Sequence, residues 1–414
     1  MKSATQSLLR IAALFMLLAM LETGWLHAMQ PLENRLSDLF VRQQAQDLRP
    51  DPDIVIVDID DASLARMQDV AGNWPWPRSV HGELVRGIAR QHPAAIVFDI
   101  LFSERDAYRP ESDRLFNQAL NVDSKIYFPL VRRDPALDQA GAPIAQVAPL
   151  LGMQRTSRAE PDARIAVLPP LAIEPRYWRT GTINFEEDRD GVGRRYQLYT
   201  DVHGWLLPSL PARVASDLGY PVPPQRDMIL AWRGRAKSFK QVSYVDLYQD
   251  FSREHPQRPP DEFAGKIVII GTDATGLYDV RVTPMASLYP GMEILATALD
   301  DLKNRRMMHA APWWFAPLFA LVLIGALAAA FLRGSHVFRI GLVLLAVTLL
   351  SLFAGYFAAG RLYLLPVLVP LLLAWGCCWR GAATSPVRWP NTCANAARAN
   401  RRCNCSAASS IRTW

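Results

Sequence analysis

Four long apolar runs constrain this chain more than any other feature of it. They lie at Leu8–Leu26, Trp313–Leu332, Val337–Ala359 and Leu362–Trp379. Each is close to the ~20 residues a helix needs to cross the hydrocarbon core of a bilayer, where backbone polar groups must be satisfied within the segment. The first stands alone, and the other three follow one another through short loops. Lys2 and Arg10 flank the first run, and the loop Arg333–Arg339 carries two arginines, so both are expected in the cytoplasm. With Gly360-Arg361 as a tight turn on the other side, Met29–Pro312 lies outside and both termini lie inside. A cleaved signal peptide is the rival reading of the first run. Leu26-His27-Ala28 is a poor cleavage site and the run is long, which favours an uncleaved anchor. The expected division is an anchor at 1–29, an outer domain at 30–305, three transmembrane helices at 313–379 and a short tail at 380–414.

The outer region alternates strand and helix signals. Leu32, Leu36, Leu39, Phe40 and Leu48 keep helical spacing as far as Pro50. Ile54–Ile59, Ala94–Ile100, Lys125–Leu130 and Ile267–Ile270 read as buried strands. Helices are expected from about Ser79 to Arg90 and over Glu111–Leu120, Pro208–Leu218 and Val242–Gln249. This predicts an α/β layered domain with a largely parallel sheet, joined to one N-terminal and three C-terminal membrane helices. Arg132–Asp162, rich in Pro, Ala, Gly and Gln, reads as an irregular insertion. Thr182–Phe185 and Arg195–Leu198 read as a hairpin around Glu186–Gly191.

Two stretches carry structural signatures. In Trp74-Pro75-Trp76-Pro77-Arg78, two X-Pro steps favour extended backbone and the indoles suit the edge of a core. In Phe263–Lys303, Gly271 and Gly276 open a loop after a strand, Pro284 and Pro290 stiffen its far end, and Gly291 leads into a helix. Ile294, Leu295, Ala298 and Leu302 share one face of that helix.

Candidates for chemistry are few. Asp58, Asp60, Asp61, Asp99, Asp106 and Asp279 fall at or just beyond strand ends. Ligands of parallel sheets bind outside the carboxyl ends of strands, and carboxylates there suit a cation or an amine-bearing ligand. Helix capping and turn formation by aspartate is the plainer explanation. Asp60, Asp61, Asp99 and Asp279 are taken as the ligand-binding candidates. Glu186-x-Asp188-x-Asp190-Gly191 matches part of a calcium loop, but Glu186 stands where Asp is wanted and Gln197 where Glu is wanted. Gly271–Gly276 lacks the Lys-Ser/Thr of a phosphate cradle. His81, His92 and His203 show no ligand spacing, so no catalytic residue, metal site or cofactor is expected. The formal charge is +6, with basic residues scattered and no interleaved aromatic ladder, so no nucleic-acid partner is expected. All five cysteines (Cys377, Cys378, Cys393, Cys403 and Cys405) lie at or beyond the last apolar run, so the outer region is not built on disulfides.

Ile54–Leu64, Trp74–Arg78, Val97–Ser103, Asp188–Arg195 and Phe263–Leu302 together resemble the CHASE domain of the second type. That family is an extracytoplasmic sensory module of bacterial cyclases and histidine kinases. The resemblance covers roughly residues 30–305 and extends to the layout of one span before the sensor and three after it. It implies a multi-pass sensor in the bacterial inner membrane with its domain in the periplasm, an unidentified ligand, the lipid bilayer as surroundings and a homodimer as working form. Relatives usually continue into a cyclase, histidine kinase or diguanylate cyclase domain. From Gly381 the composition turns to Ala, Arg, Asn, Ser, Thr and Cys without periodicity, which predicts disorder. The expectation is a truncated or frameshifted receptor, not itself an enzyme. A short protein signalling to a separate cytoplasmic kinase or cyclase, a lipidated or metal-binding tail, and a periplasmic hydrolase stand as alternatives.

Overall fold

Ile54–Ile59 becomes a strand buried at every residue (β1), because its β-branched side chains pack well on both faces of a covered sheet. In the computed structural model, which describes residues 2–277 and 279–384, six further strands join it. They are β2 (Ala95–Phe98), β3 (Ile126–Arg132), β4 (Val167–Leu168), β5 (Thr180–Thr182), β6 (Lys240–Ser243) and β7 (Ile267–Thr272). The order is β6-β1-β7-β2-β3-β4, with β5 also paired to β3. Every pairing is parallel except β3 with β4. The register sets Asp58 opposite Gly271 and Ile270 opposite Phe98.

The period of two along β1 divides the core. Val55, Val57 and Ile59 join a cluster that includes Leu84 and Ile88 of α3 (Arg78–Ala89), Phe116 of α4 (Pro110–Ala119) and Tyr244 of α6 (Tyr244–Phe251). Ile54 and Ile56 join another with Val214 of α5 (Leu210–Asp217) and Leu295 and Leu299 of α7 (Gly291–Asn304). The chain is thus a mixed α/β protein.

Several expectations need correction. Residues 291–304 do form a helix, but Met292–Leu302 is buried at every position, Asp300 and Asp301 included, so the helix is not amphipathic. Ile294, Ala298 and Leu302 join a third cluster with Trp232 and Tyr289, and the polar residues find internal partners. The insertion at 132–162 contains a 3-10 turn, Pro135–Ala140, and a helix, Ile144–Leu151. Thr180–Thr182 and Arg195–Gln197 are not a hairpin. The former pairs with β3, and the latter with Asp227–Ile229. Val242 belongs to β6, and the helix begins at Tyr244. Around Trp74 the backbone bends, with a cis Trp74–Pro75 bond, where extended backbone was expected.

The described chain divides into two compact units. Of the described residues, one holds 2–37, 311–357 and 365–384; the other holds those within Asp38–Ala310 and Ala358–Leu364. In the first unit three helices are long and apolar enough to cross a membrane: Thr5–Leu26, Phe315–Leu332 and Val337–Ala359. Leu368–Thr384 is a shorter apolar helix. The fourth apolar run is therefore not one span from Leu362. Tyr363–Leu364 pairs with His309–Ala310, and Pro366, which cannot continue a helical ladder, precedes the start at Leu368. Glu33, in α2 (Gln30–Ala45), accepts hydrogen bonds from the N–H groups of Val367 (2.9 Å), Leu368 (3.2 Å) and Val369 (2.9 Å), satisfying donors at that helix start. The tail from Ser385, with Cys393, Cys403 and Cys405, lies outside the described residues.

Candidate functional site

The carboxyl ends of β1, β7 and β2 converge on the first turn of α7, and the aspartates there divide into two kinds. Asp60 and Asp61 are held by local structure. Asp60 caps the short helix Asp61–Arg66, accepting from Ser63 N (2.7 Å) and Ser63 Oγ (2.6 Å), and takes Ser243 Oγ at 3.1 Å. Asp61 accepts from Thr275 N (3.0 Å) and Thr275 Oγ1 (2.8 Å), tying down the loop after β7. Asp106 likewise serves a turn, accepting from the N–H groups of Tyr108 (3.1 Å) and Arg109 (3.0 Å).

Asp99 and Asp279 are brought together. Burial pushes the Asp99 carboxyl up and repulsion from Asp279 pushes it further, against the opposing charge of Arg281. Burial raises Asp279 as well, and Arg281 stands at 3.9 Å from it. The buried hydroxyl of Tyr196 faces both carboxyls, and its pKa is driven upward by burial first and by their charge second. A Cβ at Gly291 would press on the Asp279 carboxylate, so a larger residue there would displace that side chain. Gly271 is required, since its Cβ would lie 2.8 Å from Cβ of Met292. Gly276 has open space around it, so packing gives no reason for a glycine there.

Next to this pair is a second acidic centre that sequence reasoning left out of the candidate set. Asp58, only 4% exposed, accepts from Asp273 N at 3.1 Å. Burial raises its carboxyl, and the Asp273 carboxyl and the charge of Asp60 add to the rise. Lys237 Nζ is 2.6 Å from Asp273 Oδ2. Glu293, fully buried in the first turn of α7, accepts from Lys237 N and from Gln241 Nε2 (2.9 Å) through Oε1. Burial pushes its carboxyl up to about 7, with the Asp273 charge adding to the effect. Among the described residues, neither Glu293 Oε2 nor the buried Tyr289 hydroxyl facing it has a partner at full hydrogen-bond geometry.

The Trp-Pro motif lies elsewhere in the fold. Trp76 is buried, 5.1 Å from Tyr244 and edge-on to Trp74 at 5.1 Å. His81 is enclosed by the same aromatics and by Phe98, Phe102 and Phe116. Burial lowers its pKa to about 3, which leaves a neutral ring bonded to the Tyr244 hydroxyl at 3.0 Å. Arg78 pairs with Asp113 at 2.7 Å and donates to the Glu104 carbonyl, fixing the loop after β2. Pro77 and Pro290 each precede a helix, α3 and α7.

The partial calcium pattern has a plain occupant. Arg194 Nη1 lies 2.8 Å from both Asp188 and Asp190, and its Nη2 lies 2.7 Å from Asp38. The acids of that loop surround an internal guanidinium. Among the described residues, no group of three or more His, Cys, Asp or Glu is arranged to hold a metal ion. A separate groove of about 800 Å³ is lined in part by Arg132, Arg133, Asn184, His203 and Arg226.

An α/β domain with a buried acidic centre at its strand ends, bracketed in sequence by apolar helices, has the form of a sensory module. The chain belongs to the CHASE2 domain family, whose model matches residues 11–332. That family comprises extracellular sensor domains, and the match extends past the 30–305 suggested by the motifs to include the first apolar helix and Phe315–Leu332. No curated protein and no solved structure matches the chain significantly.

Proposed function

We propose that this protein is a multi-pass sensor of the bacterial inner membrane. Its α/β domain faces the periplasm, reads a stimulus at the carboxyl ends of β1, β7 and β2, and passes it across the bilayer. The observation that carries this reading is a CHASE2 match over residues 11–332 that takes in an apolar helix at each end, Thr5–Leu26 and Phe315–Leu332, with Val337–Ala359 following it. The arginines of the 333–339 loop support cytoplasmic termini. The domain binds rather than catalyses: among the described residues its buried carboxyls lack a partnered nucleophile, and His81 is locked in an aromatic core. The working form is a homodimer that signals to a cytoplasmic kinase or cyclase activity.

Alkaline phosphatase fusions test this. The enzyme should be active when joined near Asp250 and inactive when joined near Ala383. The reverse pattern rejects the topology, and with it the sensor reading.

A further inference from the structure

We propose that the stimulus is external acidity, sensed as protons taken up by the carboxyl groups enclosed around the first turn of α7. The inference rests on the sensor reading above. It starts from a charge imbalance. Asp58, Asp273, Glu293, Asp99 and Asp279 converge there, with Asp60 close behind, and the cations facing them are Lys237 and Arg281. Asp58 and Glu293 are buried, and buried charges persist only when paired, so these two favour the uptake of positive charge.

Access selects the proton over larger cations. Glu293 is fully buried, and among the described residues its Oε2 has neither a partner at full hydrogen-bond geometry nor contact with solvent. Asp58 is nearly as enclosed. An amine or a hydrated metal ion reaches neither oxygen without opening the domain, whereas a proton arrives by transient water. The facing Tyr289 hydroxyl can accept from a protonated Oε2 and can equally donate to an ionised one, so the preference for a proton rests on the enclosure of the carboxyl. The groups that bear on Glu293 are Lys237, Asp273 and Tyr289, the last also facing Arg233; those on Asp99 are Asp279, Arg281 and Tyr196. The directions in which burial moves these carboxyls agree with proton retention near neutrality.

The consequence is mechanical. Glu293, in the first turn of α7, holds the backbone before β6 through Lys237 N and β6 itself through the Gln241 side chain, and Asp58 holds the loop after β7 through Asp273 N. Loss of protons puts like charges on β1, the loop after β7 and α7 together. That repulsion favours a second position for a helix that ends at Asn304, shortly before Phe315 opens the next apolar helix in sequence.

The test uses the full chain in lipid nanodiscs. Infrared difference spectra should show a protonated-carboxyl band at about pH 6 that is lost by about pH 8.5, above the ordinary carboxyl range. Glu293→Gln and Asp58→Asn should each remove part of that band, while Asp61→Asn, at an exposed loop contact, should leave it whole. Absence of the band at about pH 6 in the wild-type chain overturns the proposal, whether or not the variants fold. So does a band unchanged in both Glu293→Gln and Asp58→Asn, or its full displacement by spermidine or Ca²⁺ at constant pH. The spectra do not depend on orientation, so reversed phosphatase fusions reject the sensor reading while the proton site stands. A missing band with correct fusions rejects the proton site alone.

Discussion

Arg233 and Asp301 form an ion pair closed off from solvent, with Nη2 2.8 Å from Oδ1 and both side chains fully buried. Arg233 Nε also reaches Asp300 Oδ2 at 3.1 Å. Asp300 Oδ2 accepts from Asp51 N (3.0 Å), and Asp301 Oδ2 from Ala231 N (2.8 Å). One guanidinium thus ties the end of α7 to residues 231–233 and to the approach to β1. Removing one member of such a network leaves uncompensated charge in the interior, at about 3–5 kcal/mol. Arg233→Met should lower the unfolding free energy by that amount, read from the shift of the denaturation midpoint. Removing the two acids together with the arginine (Arg233→Met, Asp300→Leu, Asp301→Leu) should recover part of it. An Arg233→Met domain of wild-type stability would mean that the pair contributes nothing to folding.

Stability should also depend on pH through Glu293, with a definite sign. Burial raises its carboxyl from the ordinary 4.5 to about 7, so the folded state holds this proton more tightly than the unfolded chain does. The resulting stability is fully present below about pH 4.5, declines as the unfolded chain ionises, and is gone once pH rises through about 7. Its upper size is about 3 kcal/mol. The Asp58 and Asp99 carboxyls, raised as well, act in the same direction. Melting temperature should therefore fall between about pH 5 and 8, and Glu293→Gln should flatten that slope. A slope identical in the variant would remove Glu293 as its source.

The sheet was legible in the sequence because its strands carry β-branched runs that few other structures accommodate. Ile54–Ile59 matched to the residue, and Ile267–Ile270 fell two residues short of the observed end. The candidate site was legible only in part. Asp99 follows a strand, Asp279 lies in the loop seven residues beyond one, and the fold brings them together. Asp60 and Asp61 follow a strand as well, yet local capping and loop bonds absorb them. Glu293 escaped notice because a glutamate in a helix's first turn ordinarily marks an exposed cap. Its significance depends on Lys237, far away in sequence and held at a φ of 65° that no local pattern announces. Asp300-Asp301 similarly reads as a solvated helix end until Arg233 is placed beside it. The expected hairpin at 182–198 failed for a related reason: Arg195–Gln197 pairs with Asp227–Ile229, a non-local choice invisible to turn signals.

Trp76 is 2% exposed and packs on Tyr244, Trp74 and His81. Truncating a buried aromatic of this size costs about 3–5 kcal/mol. Trp76→Ala should lower the melting temperature of the protein by several degrees, read by circular dichroism. Wild-type stability in Trp76→Ala, together with a lost response to stimulus, would move the indole from the core into the sensing site.

The cluster around Arg194 gives the last prediction. Its guanidinium contacts Asp38, Asp188 and Asp190, and it is largely buried. Since a fixed internal cation already occupies the space between these carboxylates, added Ca²⁺ should leave the melting temperature of the wild-type chain unchanged. Arg194→Ala removes the cation and leaves three aspartates crowded together, a loss of about 2–4 kcal/mol by the cost of stranding partly buried charge. In that variant alone, Ca²⁺ has vacant carboxylates to bind, and millimolar Ca²⁺ should restore part of the lost melting temperature. Stabilisation of the wild-type chain by Ca²⁺ would show instead that the 186–191 loop is an ion site and that Arg194 is displaced when it fills.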